Sequence, residues 1–207
     1  MRSLLWILFI GLMQADANPL SLDQLPEGKL PANLKVIKVG PGALGKVRVT
    51  TENVPHPTTG VTEKQRVLEI TGGGAAADHY TLVLLNQPAY SSLSIATRFR
   101  IVDGEGVRAA GVIFRMQPNQ KDYYLLAVKP ETKEAFWTVF QDGLPVKGFK
   151  YDEDQFISPK DGWQSIKLQA EENTSRWTLN HRRDFITYNP ETTPDYRRGM
   201  VGFWVRS

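Results

Sequence analysis

Alternation of apolar and polar residues with a period of two is the feature that most constrains how this chain folds. In the segment 93–102, five alternate positions carry apolar residues or threonine, namely Leu93, Ile95, Thr97, Phe99 and Ile101. Successive side chains of a β-strand point to opposite faces of a sheet, so this pattern predicts a strand with one buried face. On this segment and on the strands predicted after it, we expect eight apolar residues to be buried: Leu93, Ile95, Phe99, Ile101, Val112, Phe114, Leu126 and Val128.

Short runs of the same kind recur along the chain and are separated by turn residues. Asp142-Gly143, between two alternating segments, is typical of a β-hairpin. No segment keeps a helical period over three turns, and several short strands at this spacing predict an all-β fold. We predict one domain, residues 46–207, that folds as a two-sheet antiparallel jelly-roll sandwich. The predicted strands are 46–51, 65–71, 80–85, 93–102, 108–116, 122–129, 134–141, 163–170, 176–180, 185–188 and 200–205.

The N-terminus has the layout of a secretory signal peptide, residues 1–17. Arg2 supplies a positive charge, Leu4–Met13 forms the apolar run, and Ala15 and Ala17 are the small residues that signal peptidase recognises. The apolar run is shorter than the ~20 residues that a membrane-spanning helix needs. We therefore predict cleavage after Ala17 and a periplasmic or secreted protein without an integral membrane anchor.

Composition excludes several classes of function. The chain has no cysteine, which rules out lipoprotein anchoring, cysteine-ligated metals and thiol catalysis. Its formal net charge of +3 is not gathered into a basic cluster, so we do not expect nucleic-acid binding. No two of the three histidines have the spacing of metal ligands, and we predict no metal and no other cofactor. Calcium at Asp152-Glu153-Asp154, the densest acidic run, is the one exception left open.

The second half of the chain carries four motifs in a characteristic order: AGVIFRMQ at 110–117, DYYLL at 122–126, GWQSIKL at 162–168 and GMVGFW at 199–204. In this order they resemble the concanavalin A-like lectin/glucanase superfamily. The branch they look most like is the bacterial exported domains described as laminin-G-like or 3-keto-disaccharide hydrolase-like. The resemblance runs from about residue 46 to the C-terminus, and it implies a sandwich fold with either sugar binding or glycoside processing.

The resemblance also implies one more strand after the segment 200–205. The chain ends at Ser207, where the turn to that strand would begin. We therefore expect either that the domain lacks its last strand or that another segment completes it. The two candidates are the N-terminal arm, residues 18–45, which contains the strand-like run Leu34–Val39, and a strand from another molecule.

Cationic and aromatic side chains on four successive segments predict a binding face. If the apolar sides of these strands point inward, they point outward and meet on one sheet, because neighbouring strands lie ~4.8 Å apart. Aromatic rings stack on sugar faces, and arginine hydrogen-bonds hydroxyls or carboxylates. We predict a carbohydrate site formed by Arg98, Arg115, Tyr123 and Trp137.

The favoured function is therefore an exported, non-catalytic carbohydrate-binding domain whose partner is a glycan or oligosaccharide. One alternative is a hydrolase of glycosidic bonds, of the 3-keto-disaccharide hydrolase type. The other is a structural or interaction domain without a sugar ligand. The carboxylate pair of the family-16 glucanases, Glu-x-Asp-x-x-Glu on one strand, is missing from this sequence, and this favours binding over catalysis.

Overall fold

The computed structural model describes residues 4–13, 22, 25–71, 79–86, 89–103, 108–152, 162–181, 183–188 and 196–206. Every regular element in these ranges is a β-strand. The strands are β1 Leu4–Met13, β2 Leu34–Val39, β3 Lys46–Pro55, β4 Thr62–Thr71, β5 Tyr80–Leu85, β6 Leu93–Asp103, β7 Ala109–Met116, β8 Tyr123–Lys129, β9 Glu134–Gln141, β10 Leu144–Asp152, β11 Gln164–Glu171, β12 Thr174–Leu179, β13 Arg183–Tyr188 and β14 Met200–Arg206. Within the same ranges we find no helix with the length and apolarity that crossing a membrane requires.

Within the described residues, two antiparallel sheets of seven strands each form the sandwich. The first sheet has the order β13-β12-β11-β6-β1-β4-β3, and the second has the order β10-β9-β8-β7-β14-β5-β2. All of the strand pairs in both sheets are antiparallel. The two-sheet antiparallel sandwich predicted from the sequence is confirmed.

The core lies between the two sheets. Leu68, Phe99 and Trp177 of the first sheet belong to the same buried cluster as Phe114 and Trp137 of the second. All eight residues predicted to be buried are at most 7% exposed. Burying one side chain of this size contributes about 1.5–3 kcal/mol, so the facing surfaces hold the two sheets together.

The second sheet is apolar on its outer face as well. A separate buried cluster includes Leu82, Ile113, Leu125 and Trp204, and it lies on the side away from the first sheet. Strand β7 is consequently buried at every position and β8 at all but its last. Strands covered on both faces carry continuous apolar runs, and alternation no longer tells which side faces the core.

The arm that precedes residue 46 packs on the sandwich. Its Leu34–Val39 run forms β2, which pairs with β5 at the edge of the second sheet. The N–H of Gly28 donates to the carbonyl oxygen of Val49 at 2.9 Å, and the N–H of Val49 donates to the carbonyl oxygen of Lys29 at 3.0 Å. The arm is thus fastened to both sheets.

Candidate functional site

A row of paired residues crosses the second sheet on its outer face. Its members, from β9 to β5, are Phe136, Ala127, Gly111, Trp204 and Leu82. Phe136 and Trp204 are three strands apart, yet their ring centroids lie 6.2 Å apart with the planes at 86°. The two side chains can approach this closely because the residues between them in the row, Ala127 and Gly111, are small. A Cβ on Gly111 would lie 2.0 Å from the carbonyl oxygen of Leu126, so only glycine fits there.

A third aromatic ring extends this surface. Tyr80 of β5 lies one row further along, and its ring centroid is 5.1 Å from that of Trp204. Tyr80 and Phe136 are half-buried, whereas Trp204 is 2% exposed. The indole N–H of Trp204 has no hydrogen-bond partner among the described residues. We call Tyr80, Phe136 and Trp204 the aromatic patch.

Charged side chains border the aromatic patch. Glu134 lies 3.8 Å from the ammonium of Lys129 and 2.6 Å from that of Lys150, and Lys150 is the cross-strand partner of Phe136. The hydrogen bond from Lys150 is the main cause that holds the pKa of Glu134 below its usual value, so this carboxylate is ionised at neutral pH. On the other side, the guanidinium of Arg206 lies 5.7 Å from the centre of the Tyr80 ring. We call Lys129, Glu134, Lys150 and Arg206 the charged rim.

Of the four residues predicted to bind sugar, Tyr123 belongs to the same apolar cluster as the aromatic patch. Its ring stacks on Phe140 at 4.5 Å with an interplanar angle of 12°, and the residue is only 3% exposed. Burial raises the pKa of Tyr123, and the proximity of Tyr80 raises it further. The phenol therefore stays protonated at neutral pH.

Trp137 does not share that face, contrary to the predicted outward orientation. It is 0% exposed and lies in the core between the sheets, with its ring stacked 5.5 Å from that of Tyr124. The prediction of its orientation was wrong because β9 is apolar on both faces. Phe136 and Phe140 occupy the outer face, so the alternation of β9 alone does not identify the core side.

The two arginines lie elsewhere. Arg115 sits at an irregularity of β7 with a φ of 53°, is 1% exposed, and donates to the carbonyl oxygen of Ser91 at 3.3 Å. Arg98 lies on the first sheet, where it is 6% exposed and donates to the carbonyl oxygen of Pro55 at 2.7 Å. Its guanidinium is 5.4 Å from the centre of the Trp163 ring, and burial lowers its pKa. The predicted common face of four residues is thus not formed, and a role of these residues in sugar binding stays a prediction.

Metal ligands do not cluster in the part of the chain that the structure describes: no three histidine, aspartate or glutamate side chains there lie close enough to hold an ion. Asp152 ends β10. Glu153 and Asp154, the other members of the acidic run considered for calcium, lie outside the described residues. The calcium site therefore stays untested.

The sequence contained one signal for this surface that the prediction did not use. Gly111 lies inside β7, and a glycine in a strand indicates close approach of another group. Here the group that approaches is the neighbouring strand β8, because a Cβ at position 111 would lie 2.0 Å from the carbonyl oxygen of Leu126 and 2.5 Å from the Cα of Ala127. Finding the rings of Phe136 and Trp204 in the same row required the register of four strands, which no local pattern supplies.

Comparison with known proteins gives similarity to solved structures only. The sequence matches no protein-family model and no curated protein. The carbohydrate-binding module CBM66 from Bacillus subtilis aligns with 75% of this chain and 86% of that one, at 18% identity and a TM-score of 0.48. The binding domain of botulinum neurotoxin DC, solved in complex with SialylT, aligns with 80% of this chain and 42% of that one, at 14% identity and a TM-score of 0.38.

Proposed function

We propose that this protein is an exported, non-catalytic carbohydrate-binding domain of the concanavalin A-like type, and that its sugar site is the aromatic patch with the charged rim. The observation that carries the proposal is the gathering of three aromatic rings from three strands on one sheet face, bordered by four charged groups. Aromatic rings can stack on sugar rings, and a polar border can hydrogen-bond the sugar hydroxyl groups, so this arrangement suits an oligosaccharide.

Each part of the surface has a task. The faces of Tyr80 and Phe136 offer apolar area to the C–H side of a sugar ring. The guanidinium of Arg206 donates hydrogen bonds to hydroxyl oxygens. Among the four rim residues, three are cations and one is an anion. The rim therefore favours a neutral sugar or one with a carboxylate over an amino sugar.

Export forms the second part of the proposal. The layout of residues 1–17 supports secretion with cleavage after Ala17, which would release the domain into the periplasm or the medium without a membrane anchor. A binding domain in that location meets glycans rather than nucleic acids.

A glycan array followed by titration tests the sugar site. We expect Phe136→Ala and Tyr80→Ala each to weaken the best glycan by at least about tenfold, because truncating a central aromatic contact in a binding site costs 1.4 kcal/mol or more. Phe149→Ala is the matched control. Phe149 is 41% exposed and contacts Trp137, which lies on the opposite face of the sheet.

Two results would contradict the proposal. Unchanged affinity in both patch variants, with their β-sheet circular dichroism intact, would remove the patch as the site. Release of reducing sugar or keto-sugar from a disaccharide panel would show catalysis and would move the protein to the hydrolase alternative.

A further inference from the structure

A groove opens where an edge of one sheet lies beside an edge of the other. Strand β2 is the last strand of the second sheet, and β3 is the last strand of the first. Residues of both strands and of the arm line a groove of about 550 Å³, and its apolar lining comes from Leu30, Leu34, Val36, Leu44 and Val47. Leu34 belongs to the main core, and Val47 packs against it. The floor of the groove is therefore the edge of the hydrophobic core.

Two leucines of the arm are exposed at this groove. Leu30 is 42% exposed and Leu44 is 52% exposed, and both belong to its lining. A single exposed leucine is common on protein surfaces. Two exposed leucines that continue into an apolar groove form a larger apolar surface, and such a surface marks an interaction site.

The chain around the groove is basic and carries no acidic residue. Residues 28–51 contain five cations and neither aspartate nor glutamate: Lys29, Lys35, Lys38, Lys46 and Arg48. Because the whole chain has a formal net charge of +3, these cations leave the other residues with a net charge of −2. The five residues are spaced widely in the sequence, and the fold places their segments around one groove.

Four of these cations are open to a partner. They are exposed and have no ion pair among the described residues: Lys29, Lys35, Lys38 and Lys46. Arg48 differs from them, because its guanidinium lies 2.7 Å from the carboxylate of Glu69. Lys35 belongs to the second sheet and Lys46 begins the last strand of the first, so cations border the groove on both sides. We call the two exposed leucines and these four lysines the basic edge.

We propose that the basic edge docks on the surface of a membrane that contains anionic phospholipids. The two leucines enter the boundary between headgroups and acyl chains, and the lysines pair with the lipid phosphates. Nucleic acids and acidic polysaccharides would neutralise the lysines but offer no apolar partner to Leu30 and Leu44. A neutral bilayer would accept the leucines but leave the lysines without counter-charges. An anionic bilayer satisfies both sets of side chains, and the protein lies on it without crossing it.

This surface is separate from the proposed sugar site. The basic edge shares no residue with the aromatic patch or the charged rim. Vesicles without glycolipid therefore test the membrane proposal alone. Phe136→Ala, which removes a ring of the aromatic patch, should leave vesicle binding unchanged, and the variants of the basic edge should leave glycan binding unchanged.

The experiment measures cosedimentation of the full chain with two kinds of vesicle. One kind contains phosphatidylglycerol mixed equally with phosphatidylcholine, and the other contains phosphatidylcholine alone. The test variants are the pair Leu30→Ser and Leu44→Ser, and the pair Lys35→Gln and Lys46→Gln.

Two variants elsewhere on the sandwich are matched controls. Leu144→Ser changes a leucine that is 68% exposed on β10, at the opposite edge of the second sheet. Lys167→Gln changes an exposed lysine of β11, on the first sheet.

We expect the wild type to bind the anionic vesicles at least about tenfold more tightly than the neutral ones. The lysine pair should weaken this binding by about 25-fold, because each lysine near an anionic surface accounts for about fivefold. The leucine pair should weaken it by at least about tenfold, because apolar area no longer enters the bilayer. Raising the ionic strength from about 0.1 M to about 1 M shortens the Debye length from ~10 Å to ~3 Å and should also weaken it at least tenfold. Both controls should bind like the wild type.

Several outcomes would overturn the proposal. One is equal binding to both kinds of vesicle, and another is a loss in the controls as large as in the test variants. Dextran sulfate that binds the leucine pair as tightly as the wild type would assign the surface to a polyanion. A dimer that the leucine pair converts to a monomer would assign it to a second copy of the chain. If a double variant lacks the wild-type circular dichroism, the single substitutions Leu44→Ser and Lys35→Gln replace it, and unchanged vesicle binding in both of them would also refute the proposal.

Discussion

Replacing Trp137 with alanine separates a core role of this residue from a sugar-binding role. A tryptophan side chain buries about 200 Å² on folding, which at about 25 cal/mol per Å² corresponds to about 5 kcal/mol. Residual compactness of the unfolded chain lowers this figure by 10–40%, to about 3–4.5 kcal/mol. Because Trp137 is 0% exposed and stacks on Tyr124, we expect Trp137→Ala to lower the free energy of unfolding by about 3–5 kcal/mol. The assay is urea denaturation followed by tryptophan fluorescence and circular dichroism.

Two further variants make this result specific. Trp137→Phe keeps a ring in the core and removes an indole N–H that has no partner among the described residues, so we expect a loss of only about 1–1.5 kcal/mol. Phe149→Ala truncates the exposed cross-strand neighbour and should cost about 1 kcal/mol. A stability of Trp137→Ala within about 1 kcal/mol of the wild type would refute the core assignment. Loss of glycan binding in a stable Trp137→Phe would restore the predicted sugar role.

Two other predictions concern the candidate site. Gly111→Val should abolish soluble expression, because a Cβ at this position would lie 2.0 Å from the carbonyl oxygen of Leu126. The control Gly143→Ala places a Cβ with nothing within 4 Å at a φ of 81°, so it should lower the free energy of unfolding by only about 1 kcal/mol. Equal soluble yields of the two variants would contradict this prediction. The pKa of Glu134 is lowered from 4.5, so its stabilising contribution is present above pH 4.5 and is lost as the pH falls through the folded-state pKa. Glu134→Gln should therefore lower Tm at pH 7 and make Tm decrease less steeply as the pH falls below 4.5. An unchanged dependence of Tm on pH below 4.5 would count against the ion pairs with Lys129 and Lys150.

Most of the fold was predictable because its signals are local. Alternation in 93–102 identified both the strand and its buried face, and the segments 80–85 and 134–141 match β5 and β9 at both ends. Strand β10 follows the predicted hairpin at Asp142-Gly143, but its residues were not among the predicted strands. Its residues 144–152 include Pro145, Lys147, Gly148 and Lys150, which weaken the alternating strand pattern. The strand forms nevertheless because β10 lies at the edge of the second sheet, where proline and charged side chains are tolerated.

The candidate site was less predictable because it depends on which strands become neighbours. Phe136 and Trp204 are far apart in sequence and meet only because β7 and β8 lie between their strands with Gly111 and Ala127 in the same row. The residue predicted to bind sugar was instead Trp137, which follows Phe136 in β9. In a sheet with apolar residues on both faces, moving by one residue exchanges the core for the surface without changing the hydrophobic pattern.

The N-terminal run shows how one pattern serves two incompatible purposes. An apolar stretch of ten residues has the length of a signal-peptide core and also that of a long β-strand. A signal enclosed between β4 and β6 is hidden from the export machinery, so export requires that Leu4–Met13 is engaged before the first sheet closes around it. Cleavage after Ala17 would then remove β1 from a chain whose first sheet has not yet formed. The second sheet, which carries the aromatic patch, has all seven of its described strands after residue 17. Loss of β1 would thus change a different layer of the sandwich from the one that carries the proposed sugar site.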